Sequence, residues 1–205
     1  QNVPTHTVGV GTGTPLVNGA DQNVTYAASK DTNTQTIVTD GWTNSTTAIV
    51  KAGDVLTFAG CFAVNPVTKS TMSHLKEFVV TADANSGAST GPATITISPA
   101  MIVSGAFQNA SAAPANNAAI VLKGTGAGLY EQNMMFTKNA FALVSVPLVS
   151  PPGAVDVSRQ SYKGTNCRVI PVYDGTNDVS KWRLDVLYGV KTIDERQAVR
   201  VSGTS

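Results

Sequence analysis

Short apolar runs broken by turn residues every ten or so positions constrain this chain more than any other feature. Residues 93–98 (ATITIS) alternate strictly, putting Ile95 and Ile97 on one face of a strand and Thr94 and Thr96 on the other. Residues 48–50 lead into Lys51-Ala52-Gly53-Asp54 and then into residues 55–60, which reads as strand, tight turn, strand. Gly53 can take positive φ in such a turn, and Asp54 can bond its own backbone. Residues 75–82 (LKEFVVTA) form another strand, and the polar residues 83–92 (DANSGASTGP) join it to 93–98 as a hairpin connection. Val and Thr make up about a quarter of the 205 residues, beside 18 Gly and 10 Pro, a composition that favours strands and turns over long helices. The expected fold is therefore mainly β, a small antiparallel β-barrel or sandwich. Closing a sheet into a barrel removes the edges that would otherwise pair with other chains. Residues 1–46 are rich in Thr, Asn and Gly, with short strands expected near 8–10, 24–27 and 36–38.

Residues 104–117 (SGAFQNASAAPANN) are small and repetitive and read as a linker or mobile loop. Residues 123–128 (KGTGAG) are a second breaker, and the domain boundary is placed between the two, near 125. Two domains are expected, 1–125 and 126–205. In the second, residues 133–149 (NMMFTKNAFALVSVPLV) are nearly continuous apolar sequence, expected to be buried on both faces. Strands are expected at 155–162, 167–173 and 181–190. In 182–188 (WRLDVLY), Trp182, Leu184, Val186 and Tyr188 face one way, while Arg183 and Asp185 face the other. Leu187 is the exception, and the pattern predicts a small sheet with one wet face.

The net charge is +1 and 13% of residues are charged, so no strong overall field draws the chain to nucleic acid or acidic membranes. Mean hydropathy is +0.04, and no run approaches the ~18 apolar residues of a membrane helix. Charge is uneven. Residues 1–100 hold four Lys, no Arg and six acids; residues 101–205 hold five Lys, five Arg and seven acids. All five Arg (159, 168, 183, 196 and 200) lie in the last quarter, and Arg suits planar, multi-donor contacts with carboxylates at interfaces. Cys61 and Cys167 are expected to be reduced thiols, with a single long-range disulfide as the alternative. The start at Gln1 shows neither an initiator Met nor a signal-peptide pattern, which suggests a processed chain or part of a longer one.

Reactive side chains are sparse. Neither His6 nor His74 has a second ligand at metal spacing, three Glu leave little for a carboxylate pair, and no G-x-S-x-G motif is present. The glycine-rich residues 9–13 and 124–128 lack a following Lys-Ser/Thr and read as turns. Three matches to the N-glycosylation pattern, at Asn23, Asn44 and Asn109, are expected by chance in a chain so rich in Asn and Thr. The aromatics are not interleaved with Lys and Arg as in a single-strand-binding platform. No catalytic, cofactor or metal residues are expected, and the reading is a structural or binding protein, not an enzyme.

The order of segments points further. Residues 53–60 (GDVLTFAG), the strand holding Phe78, Val79 and Val80, and residues 93–99 (ATITISP) resemble the core of the insertion domain in coat proteins of P22-like tailed bacteriophages. Residues 133–144 (NMMFTKNAFALV) are similar to that family's buried segment after the insertion, and 182–201 (WRLDVLYGVKTIDERQAVRV) to its closing strand. The resemblance spans most of 47–201. It implies a β-barrel insertion domain over about 1–125 and, over 126–205, the C-terminal part of an HK97-like capsid fold, which is α+β when complete. It also implies a longer subunit whose amino-terminal half is missing here, leaving 181–190 without sheet partners. The implied function is that of a major capsid protein that self-assembles into an icosahedral shell around packaged double-stranded DNA. The DNA would be held without sequence-specific binding. Partners would be copies of itself, a scaffolding protein and a portal, with no membrane; the protein would be made in the host bacterial cytoplasm and end in the virion.

Subunit contacts are expected at Arg183, Asp185, Arg196 and Arg200, with ordinary surface charge as the competing reading. The polar loop adds Ser86, Gly87, Ala88 and Ser89 as contacts to a neighbouring barrel. The alternative function is a β-sandwich surface or tail-spike-type binding module, with carbohydrate as one class of ligand. An exposed Trp42 or Trp182 beside Asn and Asp would favour that alternative, and burial of both would favour the shell.

Overall fold

Strict alternation makes β6 (Ala93–Ser98) the most regular strand: Ile95 and Ile97 are fully buried and Thr94 is exposed. The computed structural model describes residues 3–154, 156–194 and 197–202. Around β6 runs an antiparallel sheet of six strands in the order β2-β3-β6-β5-β4-β7. Its other members are β2 (Gly13–Val17), β3 (Gln35–Trp42), β4 (Val55–Val64), β5 (Thr71–Val80) and β7 (Ile120–Leu122). The two ends of this sheet nearly meet. Leu16 of β2 bridges Ala119, Val17 N–H donates to Ala118 O at 2.9 Å, and Asn117 N–H donates to Val17 O at 2.8 Å. The result is an almost closed barrel, so the β2 and β7 edges are largely satisfied.

Its core is built from inward residues of every wall, among them Val17, Ile37, Leu56, Phe58, Phe78 and Ile97. Phe58 and Phe78 meet edge-to-face at 5.5 Å. The expected turn at 51–54 is present: Gly53 has φ +99°, Asp54 N–H donates to Lys51 O at 3.0 Å, and Asp54 Oδ2 accepts Lys51 N–H at 2.8 Å. The residues before it form no ladder; Val50 makes an isolated bridge to Ala84.

The first 46 residues depart most from expectation. The strand β1 (Thr5–Thr7) precedes residues 8–10, which are not a strand. Gly9 crosses Ile49 and Val50 so closely that a Cβ would collide with their backbone. Residues 24–27 are not a strand either; they lead into α1 (Tyr26–Ser29), a single turn. Its Ala-Ala centre favours a helix over an extended chain. Residues 36–38 lie inside β3, as expected.

Residues 104–117 are not a free linker. Ala110 is fully buried and bridges Ala63 of β4, and Asn109 Nδ2 donates to Ala100 O at 2.7 Å. Their small side chains allow this close approach.

The chain divides into two compact units, Gln1–Gln132 with the last residues from Ser202, and Asn133–Val201. Strand β8 (Leu129–Phe136) begins in the first and ends in the second. In the second unit, β9 (Phe141–Ser145) pairs with β13 (Tyr188–Thr192) as a two-stranded ribbon. A separate sheet has the order β10-β11-β12, from β10 (Ser158–Tyr162), β11 (Thr165–Asp174) and β12 (Val179–Asp185). Strand β14 (Ala198–Ser202) adjoins β8. The expected strand 181–190 is thus split at Val186 and Leu187 between two sheets, and β12 lies at a sheet margin. Residue 155, the start of the expected strand 155–162, lies outside the described residues.

Burial in this unit reverses the expectation. Residues 133–149 are not buried on both faces: Met134, Met135, Phe136, Leu143 and Val144 are all exposed. Ala140 and Ile170 are its buried apolar side chains among the described residues. The physical reason is that, among the described residues of this unit, no second layer packs across these strands, where a sheet face ordinarily packs on another layer.

Candidate functional site

No group of three His, Cys, Asp or Glu side chains among the described residues could hold a metal ion. What the molecule offers instead is a charged cluster, a fastened loop and an apolar sheet face.

The cluster is centred on Asp185. Antiparallel register sets Arg168 of β11 opposite Asp185 of β12 and Ile170 opposite Arg183, so the four residues share one face of the sheet. Asp185 Oδ2 accepts from Arg168 Nη2 at 2.5 Å and from Arg183 Nη2 at 3.0 Å, while Oδ1 accepts from Arg183 Nε at 2.6 Å. Arg168 Nη1 also donates to Val149 O. Hydrogen bonds from Arg183, then from Arg168, hold the Asp185 carboxyl down to about 2. Arg168 and Asp185 are mostly covered, whereas the Arg183 side chain is 63% exposed. One carboxylate thus orients two guanidiniums and leaves Arg183 at the surface. Sequence reasoning chose Arg183 and Asp185 but passed over Arg168, because the β11–β12 register that joins them is not written in local sequence. Arg200 lies exposed on β14, apart from this cluster's hydrogen bonds, and Arg196 lies outside the described residues.

The loop over 83–92 has an anchor and a tip. Ser86 is buried; its Oγ donates to Thr43 O at 2.5 Å and accepts Thr46 N–H at 2.8 Å. Gly87 N–H donates to Pro92 O at 2.8 Å, closing the loop on itself. Gly91 runs against the Trp42 backbone with φ +63°, where a Cβ would collide. Ala88 and Ser89 form the exposed tip.

The third feature is the opposite face of the β10-β11-β12 sheet. Register pairs Val169 with Leu184, Pro171 with Trp182, and Tyr173 with Ser180. Trp182 is 72% and Leu184 67% exposed. The alternation of 182–185 is as expected, but the apolar row is not covered: Trp182 and Leu184 face outward, while on the charged row Arg168 and Asp185 are mostly covered and Arg183 is exposed. The neighbouring β9–β13 ribbon repeats the pattern, with Leu143 paired to Val190 and both exposed. A shallow groove of ≈ 690 Å³ beside β11 and β12 is lined by Pro151, Pro152, Ile170 and Trp182 among others. Its walls are largely apolar.

The two Trp residues differ. Trp42 is buried, its Nε1–H donating to Thr39 Oγ1 at 2.8 Å. Trp182 is exposed, but its face neighbours are Pro171 and Leu184 instead of Asn and Asp. Cys61 and Cys167 are free thiols, and burial pushes the Cys61 thiol up to about 11. No helix among the described residues is long and apolar enough to cross a membrane.

A family model described as P22 coat protein, gene protein 5, matches residues 1–201. Among solved structures, the CUS-3 coat protein I-domain is 27% identical over 55% of this chain and 96% of its own, with a TM-score of 0.37. No curated protein matches the chain.

Proposed function

The chain belongs to the P22 coat protein family, and from that premise we propose that it forms part of a major capsid subunit that self-assembles into an icosahedral shell enclosing a phage genome. Coat proteins of this family are structural components of the virion capsid, which is a shell of repeated subunits. Association between surfaces, in place of turnover, is the work such a chain must do.

The observation that supports this reading is the outward apolar row of β11 and β12. In this row Trp182 and Leu184 are exposed beside the half-buried Val169 and Pro171, and exposed apolar surface forgoes the roughly 25 cal/mol per Å² that burial contributes. Contiguous apolar patches of this kind mark interaction surfaces. We assign their covering to coat polypeptide outside this chain, as part of a completed HK97-like subunit or its shell.

Arg183 and Asp185 are proposed to make contacts across subunits or between halves of a subunit, with Arg168 holding Asp185 in place. Arg200 and the loop residues Ala88 and Ser89 are proposed as further contacts, with Ser86 and Gly87 fastening that loop; Arg196 is proposed on sequence alone. A scaffolding protein, a portal, packaged double-stranded DNA bound without sequence specificity and synthesis in the host cytoplasm complete the proposal. Repeated weak contacts suffice in a shell, because many copies engage at once.

The test is electron microscopy of the coat polypeptide that carries this chain, expressed in bacteria. Closed, uniform particles are expected. Soluble protein that never forms particles, with or without a scaffolding protein, would contradict the proposal.

A further inference from the structure

Asp54 is the one carboxylate buried among the described residues. Its Oδ2 accepts Gly9 N–H at 3.0 Å and Lys51 N–H at 2.8 Å, and its Oδ1 lies 2.6 Å from His6 Nε2. A buried carboxylate is costly unless its lone pairs are matched. Here the turn supplies one match, and the amino-terminal segment supplies the other two.

That segment is a strap. β1 is not a member of the six-stranded sheet. Residues 8–11 lie between two backbones. On one side Val10 N–H donates to Ala48 O at 3.0 Å and Gly11 N–H to Ile49 O at 2.9 Å. On the other, Val8 N–H donates to Gly128 O at 3.0 Å, and Gly9 O accepts Ala127 N–H at 3.1 Å. β1 itself pairs with the start of β8, with Thr5 opposite Glu131 and Thr7 opposite Leu129. The incoming and outgoing chain therefore pair as a neck beside the barrel, in which β1 is an edge strand of the three-stranded sheet β1-β8-β14.

We propose that His6 and Asp54 form a latch that fastens this strap across the turn at 51–54 and sets how often the neck opens. The barrel sheet stays intact whether the latch is closed or open, because the six strands carry their own ladders and core. The latch is polar, so one side chain controls it. Without His6, the buried Oδ1 is left unmatched while the strap is closed, and opening the strap to water relieves this.

Native-state amide exchange on the 205-residue chain tests the latch. In the unaltered chain, the amides of Val8, Val10, Gly11 and Ala127 are expected to exchange together and ahead of those in β3 and β6. In His6→Ala they are expected to exchange at least about tenfold faster, with β3 and β6 amides changed less than about twofold. His6→Gln, which keeps a side-chain N–H donor, is expected to restore most of the protection. The latch is refuted if strap amides exchange only with global unfolding in the unaltered chain. It is equally refuted if His6→Ala speeds strap and sheet amides alike or neither, or if Gln gives no recovery.

Discussion

Thr39 lies fully buried between β6 and Trp42. Its hydroxyl donates to Ala93 O at 2.9 Å and accepts Trp42 Nε1–H at 2.8 Å, so both buried partners depend on one side chain. Thr39→Val keeps the shape and strands the indole N–H; the expected loss is about 1–3 kcal/mol, read from the urea midpoint. Asp185 shows the same dependence with charge. Its folded carboxyl is held down to about 2, against an ordinary 3.8. A depressed carboxylate contributes stability that is complete above about pH 4 and lost as pH falls towards 2. Protection of β11 and β12 amides is therefore expected to fall between pH 4 and 2, and to fall less steeply in Asp185→Asn. An equal acid response in the two proteins would remove Asp185 from the account. Arg168 completes this site, yet only the pairing of two strands reveals it.

At the level of elements, the loop over 83–92 separates fastening from display. Ser86→Ala is expected to destabilise the barrel by about 1–3 kcal/mol, because Thr46 N–H loses its buried acceptor. Removing Ala88 and Ser89 is expected to leave the urea midpoint almost unchanged and to lower shell yield or change shell size. Normal shells from that deletion would refute a contact at the tip. Local chemistry made several elements readable in advance. The turn at 51–54 needed only Gly53 and Asp54, and β6 needed only its own alternation. Residues 104–117 misled because small side chains suit a linker and a tightly packed loop equally; burial of Ala110 against Ala63 is a tertiary fact. Residues 8–10 misled because Val8 and Val10 alternate like a strand, while their N–H groups go to opposite sides, to Gly128 O and Ala48 O.

On the scale of the whole molecule, the two units contrast. The first closes a barrel over a core that includes Phe58, Phe78, Ile95 and Ile97; the second leaves Trp182, Leu184, Leu143 and Val190 in water. Periodicity told that the two faces of 182–185 differ. It could not tell which face is covered, because that depends on what packs there: Trp182 and Leu184 are exposed on one face and Arg183 on the other. The family resemblance carried by residues 53–60, 93–99, 133–144 and 182–201 was legible, and the family match over 1–201 bears it out. The contact residues are less legible, since a guanidinium at an interface and one in water look alike in sequence.

The outward row of β11 and β12 is proposed to be a surface built to be covered. Hydroxyl-radical footprinting measures this directly, by comparing oxidation of Trp182 in the isolated chain with oxidation in particles of the coat polypeptide. Strong labelling of Trp182 is expected in the isolated chain, and clear protection in the particles. Equal labelling in both would contradict it.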